Sequence, residues 1–255
     1  MMKKKWVYAA VLFFMISVPT CLYAEDYKDI FKKTQAKAMA GDATAQQELG
    51  RMYLNGVGVL KDYQEAVVWY RKAAGQGLPS AQFNLGVIYF KGEVVPKDYM
   101  EAVRWFYPAA EQGHAEAQYY LGMMNSKGLG VSKNYAAAVK WYGYAAEQGL
   151  TGAQYNLAVM YYNGDGVDQD YREAAKWMTQ AAGLGLARAQ YDLGQMYVKG
   201  YGVPKDKVQA YKWLDLAVAQ GGEKARELRD SLSKEMTPEQ ITEAKRLSAA
   251  FRSSK

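Results

Sequence analysis

The sequence predicts an all-α protein built from five tandem helix-turn-helix repeats of 36 residues, with capping helices at both ends. Three observations carry this prediction: the pair Ala-Gln, every tryptophan beyond Trp6, and two sets of glycines all recur at intervals of 36 residues. No insertion interrupts the register, so we expect one continuous array rather than two domains. The predicted repeats span 41–76, 77–112, 113–148, 149–184 and 185–220.

Residues 1–24 have the pattern of an export signal. Three lysines at 3–5 precede an apolar run over 6–18, which is short for a membrane-spanning helix. Aliphatic and small side chains occupy the two positions that a signal peptidase reads before a cut after Ala24. We therefore predict a cleaved signal and a periplasmic or secreted protein, whose formal net charge falls from +6 to +3. Lipidation at Cys21 and an uncleaved anchor stay open as alternatives.

Residues 25–40 have the pattern of the second half of a repeat. Asp26 stands 36 residues before Asp62, and the tryptophan column continues here as Lys33. A charge in place of an aromatic side chain suits a terminal helix that has a neighbour on one side only. We therefore predict a single N-terminal capping helix over 25–40.

Each repeat is predicted to contain two helices. In the first repeat, Ala45, Leu49 and Met52 mark one buried face of helix A, which we expect from about 43 to 55 and which ends at a glycine. Helix B begins after an Asp or Asn in the column of Asp62. Glu or Gln follows three positions later in four repeats, which predicts a capping box. Its tryptophan is expected to fill the volume between helices, and the side chains that we expect helix B to bury are Tyr63, Ala66, Val67, Tyr70, Ala73, Ala74 and their equivalents.

The C-terminal segment, residues 221–255, is predicted to form two further capping helices. The first is expected over roughly 223–235. Thr237 then has the character of an N-cap, with Pro at the first helical position and Gln at the third. This start signal predicts a last helix through about Ala250.

The repeats follow the pattern Ala-Gln-x-x-Leu-Gly-x-x-Tyr-x-x-Gly-x-Gly-Val, then Lys-Asp-Tyr-x-x-Ala-x-x-Trp-Tyr-x-x-Ala-Ala-x-x-Gly. This pattern resembles the Sel-1-like repeat (SLR) family, a relative of the tetratricopeptide repeat. The resemblance implies a right-handed αα-superhelix, or solenoid, and an adaptor role for an exported bacterial member. A cysteine-rich branch of the family has been associated with β-lactam binding and hydrolysis, and nothing here matches its cysteines. Among the departures, Pro108 removes a helical N–H and is expected to bend its helix.

The composition argues against catalysis and cofactor binding. With one cysteine and one histidine, a Cys/His zinc centre is excluded, and any histidine-dependent triad would have to use His114. The glycine-containing turns lack the further glycine or the Gly-Lys-Ser/Thr pattern of phosphate-binding loops. Asp165, Asp168 and Asp170 lie in one loop without EF-hand spacing, which leaves only weak calcium binding open. We therefore predict no catalytic residue, no cofactor and no nucleic-acid partner.

Comparison of the repeats with one another separates architecture from binding surface, because buried positions must stay alike whereas exposed positions are free to vary. The invariant columns, including the glutamine of the Ala-Gln pair, are assigned to packing and to backbone hydrogen bonds. Variable columns of helix A are assigned to the inner, concave surface, where apolar side chains between amides would suit an extended peptide or a helix. The predicted partner-binding residues are Asn84, Val87, Glu116, Tyr120, Met123, Asn156, Val159, Arg188, Asp192 and Gln195. Ordinary solvated surface is the alternative interpretation.

With the resemblance, these observations predict a non-catalytic protein-protein interaction scaffold of the bacterial periplasm or envelope. Its partner would be a protein bound on the concave helix A surface, and membrane contact would occur only through the export signal. A secreted factor of a pathogen or symbiont that engages host proteins is one alternative. A β-lactamase-like or peptidoglycan-active enzyme is a less favoured one.

Overall fold

The computed structural model describes residues 18–254, with side chains from residue 26 onward, and shows α-helices and no strand in that part of the chain. Most of the predicted export signal lies outside the described residues. The helices of the described part are α1 Val18–Met39, α2 Ala43–Asn55, α3 Tyr63–Gly75, α4 Pro79–Lys91, α5 Tyr99–Glu111, α6 Ala115–Lys127, α7 Tyr135–Glu147, α8 Thr151–Asn163, α9 Tyr171–Gly183, α10 Ala187–Lys199, α11 Lys207–Ala219, α12 Glu223–Ser233 and α13 Pro238–Ser253. None of them combines the length and the apolar character needed to cross a bilayer.

Helices α2 to α11 alternate as helix A and helix B of five repeats, which confirms the predicted all-α repeat fold. Helix α2 has the predicted bounds, and each helix A ends at a glycine in the left-handed conformation. Helix α5 continues through Pro108 without a break. Tyr63, predicted to be buried, is 46% exposed because it is the first residue of α3 and lies beyond that helix's packed turns.

The start of helix B differs from the prediction in one respect. Asp62 caps α3 as expected, because its carboxylate accepts hydrogen bonds from the N–H groups of Gln64 and Glu65 at 2.9 and 3.0 Å. The predicted capping box of helix B is wrong, since the described helices show the reciprocal bond only at Thr237 of α13. The equivalent acid in α5, Glu101, instead accepts from its own helix.

In four of the five repeats, a glycine of helix A lies directly against helix B. A Cβ on Gly122 of α6 would lie 2.7 Å from ring carbon Cδ1 of Tyr142 in α7. Tyr142 is buried, and this burial raises its pKa to about 12. In the fourth repeat the same two positions hold Ala158 and Met178. The flexible methionine leaves room for the extra methyl group.

The glutamines of the Ala-Gln pair join neighbouring helices, as predicted. The side-chain amide of Gln190 in α10 donates to the carbonyl oxygen of Ala182 in α9, and its oxygen accepts from Gln220 at 2.9 Å. The fourth repeat lacks the second bond because Leu184, 53% exposed, replaces the donating glutamine. The buried side-chain oxygen of Gln154 consequently has no hydrogen-bond partner.

The described part of the chain divides into two compact units, and the division falls between Gln112 and Gly113, at a repeat boundary of the sequence. Within each unit, a turn glycine rests on the preceding helix B. A Cβ on Gly202 would overlap the carbonyl oxygen of Tyr171, and Gly58 has the same relation to Tyr27. Both glycines also have positive φ, 69° and 71°, so these positions require glycine for conformation as well as for space.

The C-terminal helices are joined to the last repeat by one carboxylate. Asp215 of α11 accepts hydrogen bonds from Arg229 of α12 at 2.9 Å and from Ser248 and Arg252 of α13 at 2.7 and 3.2 Å. Burial by itself would raise the pKa of Asp215, but these three donors outweigh it and place the pKa below its ordinary value. The side chain of Asp215 is 15% exposed, so this contact is well shielded from water.

Candidate partner-binding surface

The predicted binding residues belong to both compact units. Asn84 and Val87 lie half-buried on α4 of the first unit. The other eight lie on α6, α8 and α10 of the second unit, which is described by itself below. They are Glu116, Tyr120 and Met123 on α6, Asn156 and Val159 on α8, and Arg188, Asp192 and Gln195 on α10.

The three predicted binding residues on α6 each contact nearby residues of the second unit. Tyr120 is half-buried, with its ring edge-on to that of Tyr119 at a centroid distance of 5.8 Å, and burial raises its pKa. Met123 packs against the apolar cluster between α7 and α8. Glu116 lies 3.3 Å from the ring nitrogen Nδ1 of His114.

Helices α8 and α10 are joined by a polar contact on their helix A faces. The hydroxyl of Tyr155 donates a hydrogen bond to Asp192 at 3.0 Å, and the guanidinium of Arg188 lies 5.3 Å from the ring centroid of Tyr155. Burial raises the pKa of Tyr155 to about 12 and also raises the pKa of Asp192, against the smaller opposing effects of Tyr155 and Arg188. The carboxylate of Asp192 is therefore held in a poorly solvated position.

A cavity of about 240 Å³ opens beside this contact, between α8, α9 and α10. Asp192 is its charged group, and Gln195 its other polar residue. Its remaining walls are aromatic or apolar. The lining residues are Tyr155, Val159, Tyr162, Met178, Asp192, Gln195 and Met196. We call it the aromatic cavity.

A second cavity, of about 450 Å³, lies between α10 and the capping helix α12. Gln195 lines both cavities, so the two adjoin along one face of α10. The lining of the second cavity carries more charge. Its residues are Tyr191, Gln195, Val198, Lys199, Lys224, Glu227 and Leu228. We call it the charged cavity.

Three of the predicted binding residues, Val159, Asp192 and Gln195, line these cavities. Sequence comparison among repeats missed the walls supplied by Tyr155, Tyr162 and α12. Tyr155 belongs to a nearly invariant aromatic column, which indicates packing, and α12 lies outside the repeats. The signal that was present is the 36-residue interval, because Lys224 and Leu228 of α12 stand 36 residues after Arg188 and Asp192.

The structure indicates no metal centre in the part of the chain that it describes. No group of three or more ligand-type side chains comes together among residues 26–254. Asp170, one of the three loop acids considered for calcium, instead caps α9 by accepting from the N–H groups of Arg172 and Glu173. His114 caps α6, where its Nδ1 accepts from the N–H of Ala117 at 3.4 Å.

The comparison with known families decides the classification. The model of the Sel1 repeat matches residues 43–78, 79–114, 115–150, 151–186 and 187–222, each starting two residues after the repeat boundaries used above. The chain belongs to the Sel1 repeat family. Sel1 repeat proteins form α-helical solenoids that are generally non-catalytic scaffolds suited to protein-protein interaction.

Two solved Sel1 repeat structures are similar to this one. A Sel1 repeat protein from Oxalobacter formigenes is 34% identical, with a TM-score of 0.73 over 88% of this chain and 96% of that one. The protein c5321, a protective antigen of uropathogenic Escherichia coli strains, is 32% identical with a TM-score of 0.59. The match covers 88% of this Sel1 repeat chain but only 56% of c5321. No curated protein sequence matches the chain.

Proposed function

We propose that this protein is an exported, non-catalytic adaptor that binds a protein partner in the groove formed by the aromatic and charged cavities. The observation that carries the proposal is that Gln195 lines both cavities, so that they lie side by side along α10. Concave surfaces of stacked repeats are where such proteins bind extended chains or helices. The location rests on the signal-like pattern of residues 1–24.

The lining of the groove suits a peptide segment. Aromatic, aliphatic and thioether side chains form most of the aromatic cavity, and charged side chains line part of the neighbouring charged cavity. This order of apolar centre and polar edge is typical of protein interfaces. The adjoining depressions can take successive side chains of one bound segment.

A photo-crosslinking experiment tests the proposal. A diazirine amino acid close to glutamine in size, which leaves the groove unfilled, replaces Gln195 and is compared in cells with the same amino acid at Lys140, an exposed residue of helix B. We expect specific adducts at 195 that disappear when Tyr162→Ala removes one wall of the aromatic cavity. Equal capture at 195 and 140 would contradict the groove, and fractionation of the same cells shows whether the chain leaves the cytoplasm.

The likeness to c5321 favours a second candidate function. That protein is a protective antigen of uropathogenic strains, and similarity at 32% identity is compatible with a secreted or surface factor that engages host proteins. The same groove would then bind a host protein. Recovery of the protein from culture supernatant rather than from the periplasmic fraction would favour this candidate.

A further inference from the structure

We propose that the aromatic cavity recognises a lysine or arginine side chain of the bound partner, with Asp192 as its counter-charge. This inference rests on the proposed function, because it assigns the chemistry of one position in the groove. Four properties of the cavity support it. They are the lack of an ion-pair partner for Asp192, the aromatic and apolar walls, the small volume, and the charges of the neighbouring side chains.

The carboxylate of Asp192 has no ion-pair partner within 4.0 Å among the described side chains, and its hydrogen bond comes from the neutral hydroxyl of Tyr155. Asp215, also half-buried in the same unit, is a useful comparison because its carboxylate does have cationic partners. Two arginines reach it, and its pKa is lowered, whereas the pKa of Asp192 is raised by burial. A cation supplied by a ligand would relieve this unfavourable desolvation.

The walls of the cavity suit the rest of a basic side chain. Tyr155 and Tyr162 line the cavity with aromatic rings, which attract cations over their faces, and the ring of Tyr155 already has Arg188 over one face. Met178 and Met196 offer flexible apolar surface for the methylene groups of lysine or arginine. Elsewhere in this chain, lysines already lie over aromatic rings, as Lys212 does over Trp213 at 4.3 Å.

The size of the cavity indicates one side chain rather than a small molecule. Its volume of about 240 Å³ is below the range of about 300–1,000 Å³ that is common for ligand sites. It also adjoins the charged cavity at Gln195, so a main chain that places one side chain in the aromatic cavity can continue along α10.

The charges around the cavity are compatible with this occupant. Arg188 is the cation nearest Asp192, but it lies over the ring of Tyr155 and outside ion-pair distance. The charged cavity is lined by two cationic side chains, Lys199 and Lys224, and by one anionic side chain, Glu227. A segment with a basic residue in the aromatic cavity and an acidic or neutral residue after it would complement both.

The test uses a phage-displayed library of random twelve-residue peptides, selected on the purified chain. We expect the recovered peptides to carry Lys or Arg at one fixed place beside apolar residues. A synthetic copy of the best peptide should lose affinity at least about tenfold when that residue becomes Met, or when the protein carries Asp192→Asn. The matched control Glu147→Gln, an exposed acid of α7, should leave the affinity unchanged.

Further variants separate the two proposals. Gln195→Trp, which fills the junction of the cavities, should abolish binding of any groove peptide, and thermal unfolding verifies that each variant is folded. Tyr155→Phe, which removes the hydroxyl but keeps the ring, should retain the basic preference. Peptides that are blocked by Gln195→Trp but lack a basic residue, or bind Asp192→Asn equally well, would overturn the cation site and leave the adaptor function standing. Peptides that ignore Gln195→Trp, or no recovered peptide at all, would contradict both.

Discussion

The contact between helix A and helix B is set by one pair of residues in each repeat. Repeats one, two, three and five place glycine against a ring or a branched side chain. Repeat four instead pairs alanine with methionine. The pairs are Gly50–Tyr70, Gly86–Phe106, Gly122–Tyr142, Ala158–Met178 and Gly194–Leu214. The size of one side chain therefore compensates for that of the other.

We predict that Gly122→Ala destabilises the protein. The new Cβ would lie 2.7 Å from the buried ring of Tyr142, so the two helices must separate, at a cost of about 1–3 kcal/mol in the free energy of unfolding. Gly143→Ala is the control, because that helical glycine has nothing within 4 Å of its Cβ position. The control should stabilise the protein by about 0.5–1 kcal/mol, measured by urea unfolding.

The partner residue provides a rescue. Combining Gly122→Ala with Tyr142→Met copies the pair found in the fourth repeat. In the Tyr142→Met background, Gly122→Ala should lower the free energy of unfolding by less than half of what it does in the wild type. If the two substitutions simply add, the pairwise explanation is wrong.

The unpaired oxygen of Gln154 gives a second residue-scale prediction. Leu184→Gln places a donor where Gln148 reaches Gln118 at 2.8 Å in the preceding repeat. Because a buried acceptor without a partner costs about 1–3 kcal/mol, we expect the free energy of unfolding to rise by about 1 kcal/mol. The reverse change, Gln148→Leu, should lower it by a similar amount. Equal stability of all three proteins would contradict a role for this bond.

At the scale of the helix, His114 makes the start of α6 sensitive to pH. Burial lowers the pKa of His114, against a smaller opposing effect of Glu116, and the cap uses the neutral Nδ1 as an acceptor. The folded state thus binds this proton more weakly than the unfolded chain does. Its contribution to stability is present above the unfolded pKa of about 6.5 and is lost as pH falls through the folded pKa.

We therefore expect His114→Asn, which caps without titrating, to differ from the wild type in its pH response. The stability of the wild type relative to the variant should fall between pH 8 and pH 5 by up to the roughly 1 kcal/mol of an N-cap. Urea unfolding at the two pH values measures this. A difference that does not change with pH would show that the cap does not titrate.

Helices α12 and α13 depend on the carboxylate of Asp215. We predict that Asp215→Asn lowers the free energy of unfolding by about 2 kcal/mol, because Arg229 loses a shielded charge partner and Ser248 loses an ionised acceptor. Amide hydrogen exchange should accelerate most in α13. The control Glu243→Gln, an exposed ion pair on the same helix, should cause no measurable loss.

The elements were predictable from the sequence because their signals are local. The period of apolar residues and the glycine after helix A predicted α2 at 43–55, as observed, and the Asp before helix B marked the start of α3. The capping box failed because a glutamate three residues into a helix has other partners, and Glu101 accepts from the indole N–H of Trp105 at 2.9 Å.

The groove was only partly predictable. Columns compared among repeats identified Val159, Asp192 and Gln195, since these positions vary. The same comparison left out Lys224 and Leu228 because the predicted repeats end at residue 220, although these two residues stand 36 residues after Arg188 and Asp192. It also passed over Tyr155, whose ring is architectural while its hydroxyl binds Asp192. Because most repeats have an aromatic ring at this position for packing, comparing the repeats does not reveal the second role of Tyr155 in binding Asp192.

At the scale of the whole molecule, the export proposal makes a sharp prediction about mass. Helix α1 begins at Val18 and continues to Met39, so the proposed cut after Ala24 falls within its length. Protein isolated from the periplasm or the medium should have the intact mass of residues 25–255. A mass that includes residues 1–24, or a lipid on Cys21, would show that the signal is retained or processed in another way.

The turn glycines have a consequence for how the chain is assembled. Gly58, Gly166 and Gly202 each rest on backbone of the helix B that precedes them, and Gln190 likewise bonds to the helix before its own. Each of these contacts can therefore form as soon as the later residue has been synthesised, because the helix that it contacts precedes it in the chain. Within each unit, folding can follow the order of synthesis, with every finished repeat serving as the template for the next one to emerge from the ribosome or from a translocation channel.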